Sequence, residues 1–207
     1  MSSDANPWDQ VYKKKGRTER NPFPRFNEMV RSFKKLGCFK ILDLGCGSGR
    51  HLVHLTREGF RVVGMDFSPS ALRLTKEWVE EEKGDASLVL ADMRNHLPFR
   101  EGSFEGVFST QVIHHARLAD VQRTIGEILR ILTYGGTAFV TVSARRDSLE
   151  HIEIEPNTYV PQTGLEKGVP HHIFTEEGLR ASFQAFQIRE ISLRAGGKVL
   201  AVLAQKL

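Results

Sequence analysis

Ile41-Leu42-Asp43-Leu44-Gly45-Cys46-Gly47-Ser48-Gly49-Arg50 decides how this chain is read: an apolar strand runs straight into a glycine-rich turn, and the turn into a helix. A buried parallel strand ending in glycines lets backbone approach a ligand with no Cβ in the way, and the helix that follows offers unpaired N–H groups. The layout suits a nucleotide-type ligand, although glycines also end strands for structural reasons alone.

Outward from that stretch, Arg50 to Glu58 reads as a helix with Leu52 and Leu55 on one face and Gly59 as its stop. Arg61 to Asp66 follows as a second strand, so strand, helix and strand form a right-handed parallel crossover. Ser68-Pro69 supplies an N-cap and a first-turn proline for a helix striped by Ala71, Leu74, Trp78 and Val79. Ser87 to Ala91 is the third expected strand and Phe104 to Ser109 the fourth. A helix carries Leu118, Val121, Ile125, Ile128, Leu129 and Leu132 at spacings of three and four, and Tyr134-Gly135-Gly136 stops it. Thr137 to Ser143 is the fifth strand, and Thr175 caps a helix with Leu179, Phe183 and Phe186 inward. Gln187 to Arg194 and Lys198 to Gln205 close the chain as an antiparallel pair around Gly196-Gly197. The fold class expected is α/β: a Rossmann-like three-layer αβα sandwich with a mostly parallel seven-stranded sheet.

Two segments stand apart from this alternation in what reads as one domain over 1–207. The N-terminal arm or cap, 1–36, is broken by Pro7, Gly16, Pro22 and Pro24 before a helical pattern at Phe26, Met29, Val30 and Phe33. Its Trp8, Tyr12, Phe23 and Phe26 either pin the arm to the body or close over a ligand. The stretch 144–174 is a connection longer than compact domains carry without a purpose, and reads as a substrate-side insertion.

Composition narrows the classes. With 207 residues, 40% hydrophobic and 26% charged, the chain can bury a sizeable core and is neither disordered nor repeat-built. It has no apolar run of the ~20 residues a membrane span needs and no signal-peptide core, so a cytoplasmic protein with no membrane association is expected. Cys38 and Cys46 are its only cysteines, and with one inside the glycine turn a disulfide is not expected. The net charge of +4 is uneven: residues 1–40 hold ten Lys/Arg against four Asp/Glu, so the arm is basic and the remainder slightly acidic. Clustered Lys/Arg suits an anionic substrate or nucleic acid, or only a solvated surface.

Three strand ends carry polar groups on one edge of the expected sheet: the glycine turn, Asp66 and Asp92. Open α/β sheets bind ligands at the carboxyl ends of their strands. A carboxylate at Asp66 suits the two hydroxyls of a ribose; Asp92 followed by Met93 suits an adenine, with an acceptor for its amine and an apolar side chain for its ring. The pattern resembles the class I S-adenosylmethionine-dependent methyltransferases, in particular the small tellurite-resistance type, over nearly the whole chain. Asp43 to Gly49 is similar to that family's first motif, Val63 to Ser68 to its ribose-binding strand end, Ala91-Asp92-Met93 to its adenine contact and Phe104 to His115 to its fourth motif. Thr133-Tyr134-Gly135-Gly136 departs from the usual lysine-proline-glycine-glycine turn. The resemblance implies S-adenosyl-L-methionine as cofactor. Gly45, Cys46 and Gly47 would lie against its methionine and ribose, supported by Asp43; Asp66 would hold the ribose, Phe67, Asp92 and Met93 the adenine, and Gln111 the methionine end. Tyr12 is the residue of the arm expected to reach the cofactor.

The reaction implied is methyl transfer to a small-molecule acceptor by in-line displacement. Among His114, His115, His171 and His172, the last and His115 are the candidate bases or acceptor-site residues. No metal site is expected. An RNA methyltransferase using Lys13, Lys14, Lys15, Arg17 and Arg20 is the near alternative, against which no Asn/Asp-Pro-Pro-aromatic signature follows the fourth strand. A nicotinamide oxidoreductase would need G-x-G-x-x-G, and Arg50 stands where its last glycine belongs. A non-catalytic cofactor-binding protein is the remaining reading. The acceptor and the oligomeric state are left open by the sequence.

Overall fold

The computed structural model describes residues 6–17, 20–146 and 150–207. The remainder of the expected arm and insertion, 1–5, 18–19 and 147–149, lies outside the described residues. The elements run α1 (Pro7–Lys15), α2 (Phe26–Lys35), β1 (Lys40–Leu44), α3 (Arg50–Arg57), β2 (Arg61–Asp66), α4 (Pro69–Glu81), β3 (Ala86–Leu90), β4 (Phe104–Thr110), α5 (Leu118–Ile131), β5 (Leu132–Ser143), β6 (His151–Glu155), β7 (Thr158–Pro161), β8 (His171–His172), α6 (Glu176–Ser182), β9 (Gln187–Arg194) and β10 (Val199–Gln205).

The main sheet has seven strands in the order β3-β2-β1-β4-β5-β10-β9, with β10 antiparallel to both its neighbours and the rest parallel. That is the mixed sheet expected. Chain order reverses between β1 and β4, which places the carboxyl ends of β1, β2 and β4 around one crevice. Because side chains alternate across a strand, neighbours in β1 serve opposite layers. Ile41 packs with Phe108, Phe139, Leu52 and Phe33 beneath α2, α3 and α4, while Leu42 and Leu44 pack with Val107, Val140, Ile128 and Phe183 beneath α5 and α6.

Three elements differ from the sequence reading. The expected turn at Tyr134-Gly135-Gly136 lies inside β5, which starts five residues early because Leu132 is fully buried opposite Phe104. Gly135, at φ +75°, absorbs a register shift there instead of ending an element. The insertion is no irregular connection: β6, β7 and β8 make a separate antiparallel sheet. Glu155 fastens it to the body by accepting from the Leu118 amide at 2.7 Å, at the start of α5.

The third is α1, where a broken stretch was expected. Asn6 accepts from the Asp9 amide and Pro7 occupies the first helical position, so the proline starts a helix here. Asp9 is buried and reaches the N-terminus of α4, accepting from Ser68 Oγ at 2.8 Å and the Ser70 amide at 2.9 Å. Asn6 Nδ2 donates to the Phe67 carbonyl at 2.9 Å, and Arg17 forks onto Glu81 at 2.6 and 2.7 Å. Burial pushes the Asp9 carboxyl up, but hydrogen bonds from Lys13, Ser70 and Ser68 bring it, on balance, well below its ordinary value. Its folded value therefore lies below the unfolded one, so its stabilisation is present above about pH 4 and is lost as pH falls further. Asp9→Ala should cost about 1–3 kcal/mol at pH 7 by urea unfolding. The gap between wild type and variant should narrow as pH falls below about 4; a gap as large at pH 3 as at pH 7 contradicts the assignment.

Candidate functional site

A cavity of about 510 Å³ opens at the carboxyl edge of the sheet. Its wall draws on Trp8 and Tyr12 of α1, the loop after β1, the ends of β2 and β4, residues 91–94, and the insertion through Arg145, Arg146, His151, Glu166 and His171.

The glycine turn is fully tied down. The amides of Gly45 and Cys46 donate to the Met65 carbonyl at 2.7 and 3.0 Å, the Gly47 amide to Asp66 Oδ2 at 2.9 Å, and Thr75 Oγ1 to the Gly47 carbonyl at 2.8 Å. Gly45 and Gly47 both have positive φ, and each has protein above its α-carbon. A Cβ on Gly45 would stand 2.4 Å from Val112 and one on Gly47 2.5 Å from the Tyr12 hydroxyl. Tyr12 thus caps the turn directly. Its phenol is raised above the ordinary tyrosine value, first by burial and then by the charge of Asp66.

Asp66 and Asp43 are both buried. Asp66 Oδ1 also accepts from the Ser68 amide at 2.9 Å, leaving each oxygen a further lone pair. Burial raises its carboxyl, opposed by the amides of Ser68, Gly47 and Phe67. Asp43 shares the face of Ile41 and Phe108, beneath α3. It is pushed up to about 8 by burial and by Asp66, with only the Leu52 amide pulling it down, and its Oδ2 has no hydrogen-bond partner among the described residues.

Phe67, Asp92 and Met93 line the cavity beyond Asp66. Asp92 has an owner that the sequence reading lacked: Arg94 Nε lies 3.0 Å from both carboxylate oxygens, and Nη2 lies 2.5 Å from Oδ2. Burial raises the Asp92 carboxyl and Arg94 more than reverses this, leaving it below its usual range. Gln111 sits at the end of β4 with φ +56°, a left-handed conformation that costs a non-glycine residue about 1 kcal/mol or more. Its backbone amide donates to the Thr141 carbonyl at 3.0 Å, and Oε1 accepts from Ser143 Oγ at 3.3 Å.

The histidines divide. His115 lines the cavity with Trp8 tilted over it at 4.9 Å, and burial together with His114 and His171 holds it well below its ordinary pKa. His172 is not among the lining residues: its Nδ1 lies 2.8 Å from Thr158 Oγ1 and its ring meets Phe174 edge-on at 4.6 Å. His171 takes its place at the wall, with Nε2 3.2 Å from Glu166 Oε2. His51 was not singled out in the sequence, yet it is buried at the wall, accepting from the Phe23 amide at 3.1 Å with its Nδ1 3.2 Å from Thr110 Oγ1. Its position on the inward face of α3, beside Leu52 and Leu55, was the available signal.

A Rossmann-like sheet with a glycine turn and two strand-end acids on one edge is the layout of a nucleoside-binding α/β fold. Residues 42–140 match the family model described as a methyltransferase domain. An uncharacterized methyltransferase of Synechocystis sp. is 36% identical over 109 residues, 53% of this chain and 49% of that protein. The 18S rRNA (guanine-N(7))-methyltransferase of Schizosaccharomyces pombe is 46% identical over 80 residues, 39% of this chain and 29% of that protein. The chain thus spans about half the length of the first and less of the second. A solved SAM-dependent methyltransferase from Methanosarcina mazei shares the fold with TM-score 0.73 at 23% identity, covering 90% of this chain and 99% of that one. Residues 42–140 are thus similar to a methyltransferase domain, on a fold shared with a solved SAM-dependent methyltransferase.

The residues fit that family's cofactor. Asp66 keeps lone pairs for a diol, and Phe67 and Met93 give an apolar slot. For Asp43 the folded pKa lies above the unfolded one. Its contribution is therefore largest at low pH and is lost as pH rises through about 8. The stability of the wild type relative to Asp43→Asn should fall by more than about 1 kcal/mol between roughly pH 5 and pH 9; parallel curves in chemical unfolding would count against a protonated Asp43.

Proposed function

We propose that the chain transfers the methyl group of S-adenosylmethionine to a small-molecule acceptor held between α1 and the insertion. We take 1–207 as one domain, with 1–36 as the cap and 144–174 as the acceptor side. The observation that carries the reading is that one cavity is lined both by the strand-end set (the glycine turn, Asp66, Phe67, Met93) and by the insertion (Arg145, His151, Glu166, His171). When bound, the cofactor supplies an electrophilic methyl carbon on a sulfonium.

The rest of the work falls to this chain's own side chains. Asp66 anchors the ribose end and Met93 the adenine end. Tyr12 and Trp8 exclude water from above, and Gln111, fixed by β5, borders the reacting end. Positioning of this kind is worth effective molarities of about 10⁵ M or more. Arg145 and Arg146 at the far wall favour an acceptor that carries negative charge. Both cysteines are free and buried, and no helix among the described residues is long and apolar enough to cross a membrane; we place the reaction in the cytoplasm.

A nucleic-acid acceptor is favoured by several relatives named as RNA methyltransferases, among them the fission-yeast rRNA enzyme. The basic arm argues less for it than its charge count: Lys13 pairs with Asp9 at 2.8 Å and Arg17 with Glu81.

Calorimetry should give binding of S-adenosylhomocysteine and none of NADH. Asp66→Asn should weaken it more than tenfold while leaving far-ultraviolet dichroism unchanged. With methyl-labelled cofactor and separate metabolite and rRNA pools, label should enter the metabolites. Label in rRNA alone would transfer the proposal to the second reading, and bound cofactor with label in neither pool would reject catalysis.

A further inference from the structure

Two histidines that line the cavity, His115 and His171, form with the buried His114 a group that the cofactor reading does not use. One ring nitrogen each from His114, His115 and His171 lies within 4.8 Å of the others. The ring centroids are 4.1 Å apart for His114 and His115 and 4.7 Å for His115 and His171. Two distant segments are brought together here, the turn after β4 and strand β8. A backbone bond clamps them: the His172 amide donates to the His114 carbonyl at 2.8 Å, beside the rings. The approach is therefore built into the fold.

Ser143 Oγ lies 3.3 Å from Gln111 Oε1, whose amide nitrogen is committed to Thr141 Oγ1 at 3.2 Å, and 3.0 Å from His114 Nε2. With the single Ser143 proton on Gln111, its oxygen accepts from His114 Nε2–H, and in that tautomer Nδ1 carries the bare lone pair. His114 is 1% exposed, and its Nδ1 has no hydrogen-bond partner among the described residues. A buried lone pair facing no donor costs about 1–3 kcal/mol unless something occupies it. Water or a protonated neighbour would serve, but three imidazoles in mutual reach, one with its far nitrogen oriented by a hydroxyl, are what a zinc ion requires.

We propose that His114, His115 and His171 bind a zinc ion at the acceptor end of the cavity, with Ser143 orienting His114 and Glu166 next to His171. Three imidazole ligands at about 2.0–2.1 Å in a tetrahedron place their nitrogens about 3.4 Å apart, so the rings close in by about an ångström on binding. The fourth position opens to the cavity, where Glu166 or an oxygen or sulfur atom of an incoming molecule completes the set. The site stands whether or not the chain transfers methyl groups; if it does, the ion selects acceptors able to ligate zinc.

The test uses the untagged full chain, metal-stripped and dialysed against zinc chloride, with metal counted per chain and affinity read by competition with a chromogenic chelator. Cobalt substitution provides a spectroscopic signature through the visible bands of a tetrahedral ion. One equivalent is expected, lost or weakened at least 100-fold in His171→Gln and in His115→Gln. Ser143→Ala should keep the stoichiometry and weaken binding about 10–100-fold. His96→Ala, an exposed surface histidine, should match the wild type. Thermal melts of each metal-free variant separate lost binding from lost folding, and His115→Gln and His171→Gln act at partly exposed positions where folding is expected to survive. Asp66→Asn should keep its zinc while losing S-adenosylhomocysteine, so failure of either reading is seen apart from the other. Zinc bound equally by the wild type and the His115 and His171 variants, no bound equivalent, or octahedral cobalt bands would overturn the proposal.

Discussion

The structure depends on housing two carboxylates, Asp43 and Asp66, in the dry end of a parallel sheet. The strands that carry them are adjacent, with Asp43 level with Gly64 and Leu44 with Met65. An isolated buried carboxylate is costly, and two of like charge are costlier. The fold meets this unequally. Asp66 receives amides from Gly47 and Ser68, at the turn and at the start of α4, whereas Asp43 has the Leu52 amide alone and its carboxyl is pushed up to about 8. The glycine turn therefore takes its shape partly to donate: its left-handed residues point N–H groups at Asp66 and at the Met65 carbonyl.

From that constraint the N-terminal segment acquires its place. A turn with no Cβ at position 47 leaves a flat patch of backbone, and the Tyr12 hydroxyl occupies the space. What holds Tyr12 there is the set of ties through Asn6, Asp9 and Arg17, which act at the end of β2 and along α4. The same segment sets Trp8 against His115. One short helix thus closes both the glycine-turn side and the histidine side of the cavity, so motion of α1 would open the two together.

Much of this was legible in the residues, and the parts that were not share a cause. Glycines, strand ends and helical stripes are local signals, and from them the sheet, its antiparallel β10 and the edge bearing Asp66 and Asp92 could be read. Asn6-Pro7 escaped notice because proline breaks a helix or begins one according to what precedes it; the identical logic at Ser68-Pro69 was read correctly because an apolar stripe followed. Leu132 fits the stripe of α5 as well as it begins β5, and burial against Phe104 decides. Arg94 is two residues from Asp92, yet only the folded turn shows that it forks onto the carboxylate.

His171 and His172 make the point most sharply. Adjacent residues in a strand face opposite ways, so one of any such pair can line a cavity while the other packs inward. The sequence holds no record of which, because β8 is two residues long and has no alternation of its own. Its register is fixed from outside, by Thr158 opposite His172 and Tyr159 opposite His171, and by the amide of His172 on the His114 carbonyl. These contacts turn His172 onto Thr158 and Phe174 and leave His171 beside His115. A shift of one residue would exchange the two rings and separate the histidine group at the cavity wall. The chemistry available at this wall of the cavity is thus set by the pairing of a minor sheet lying outside the main fold.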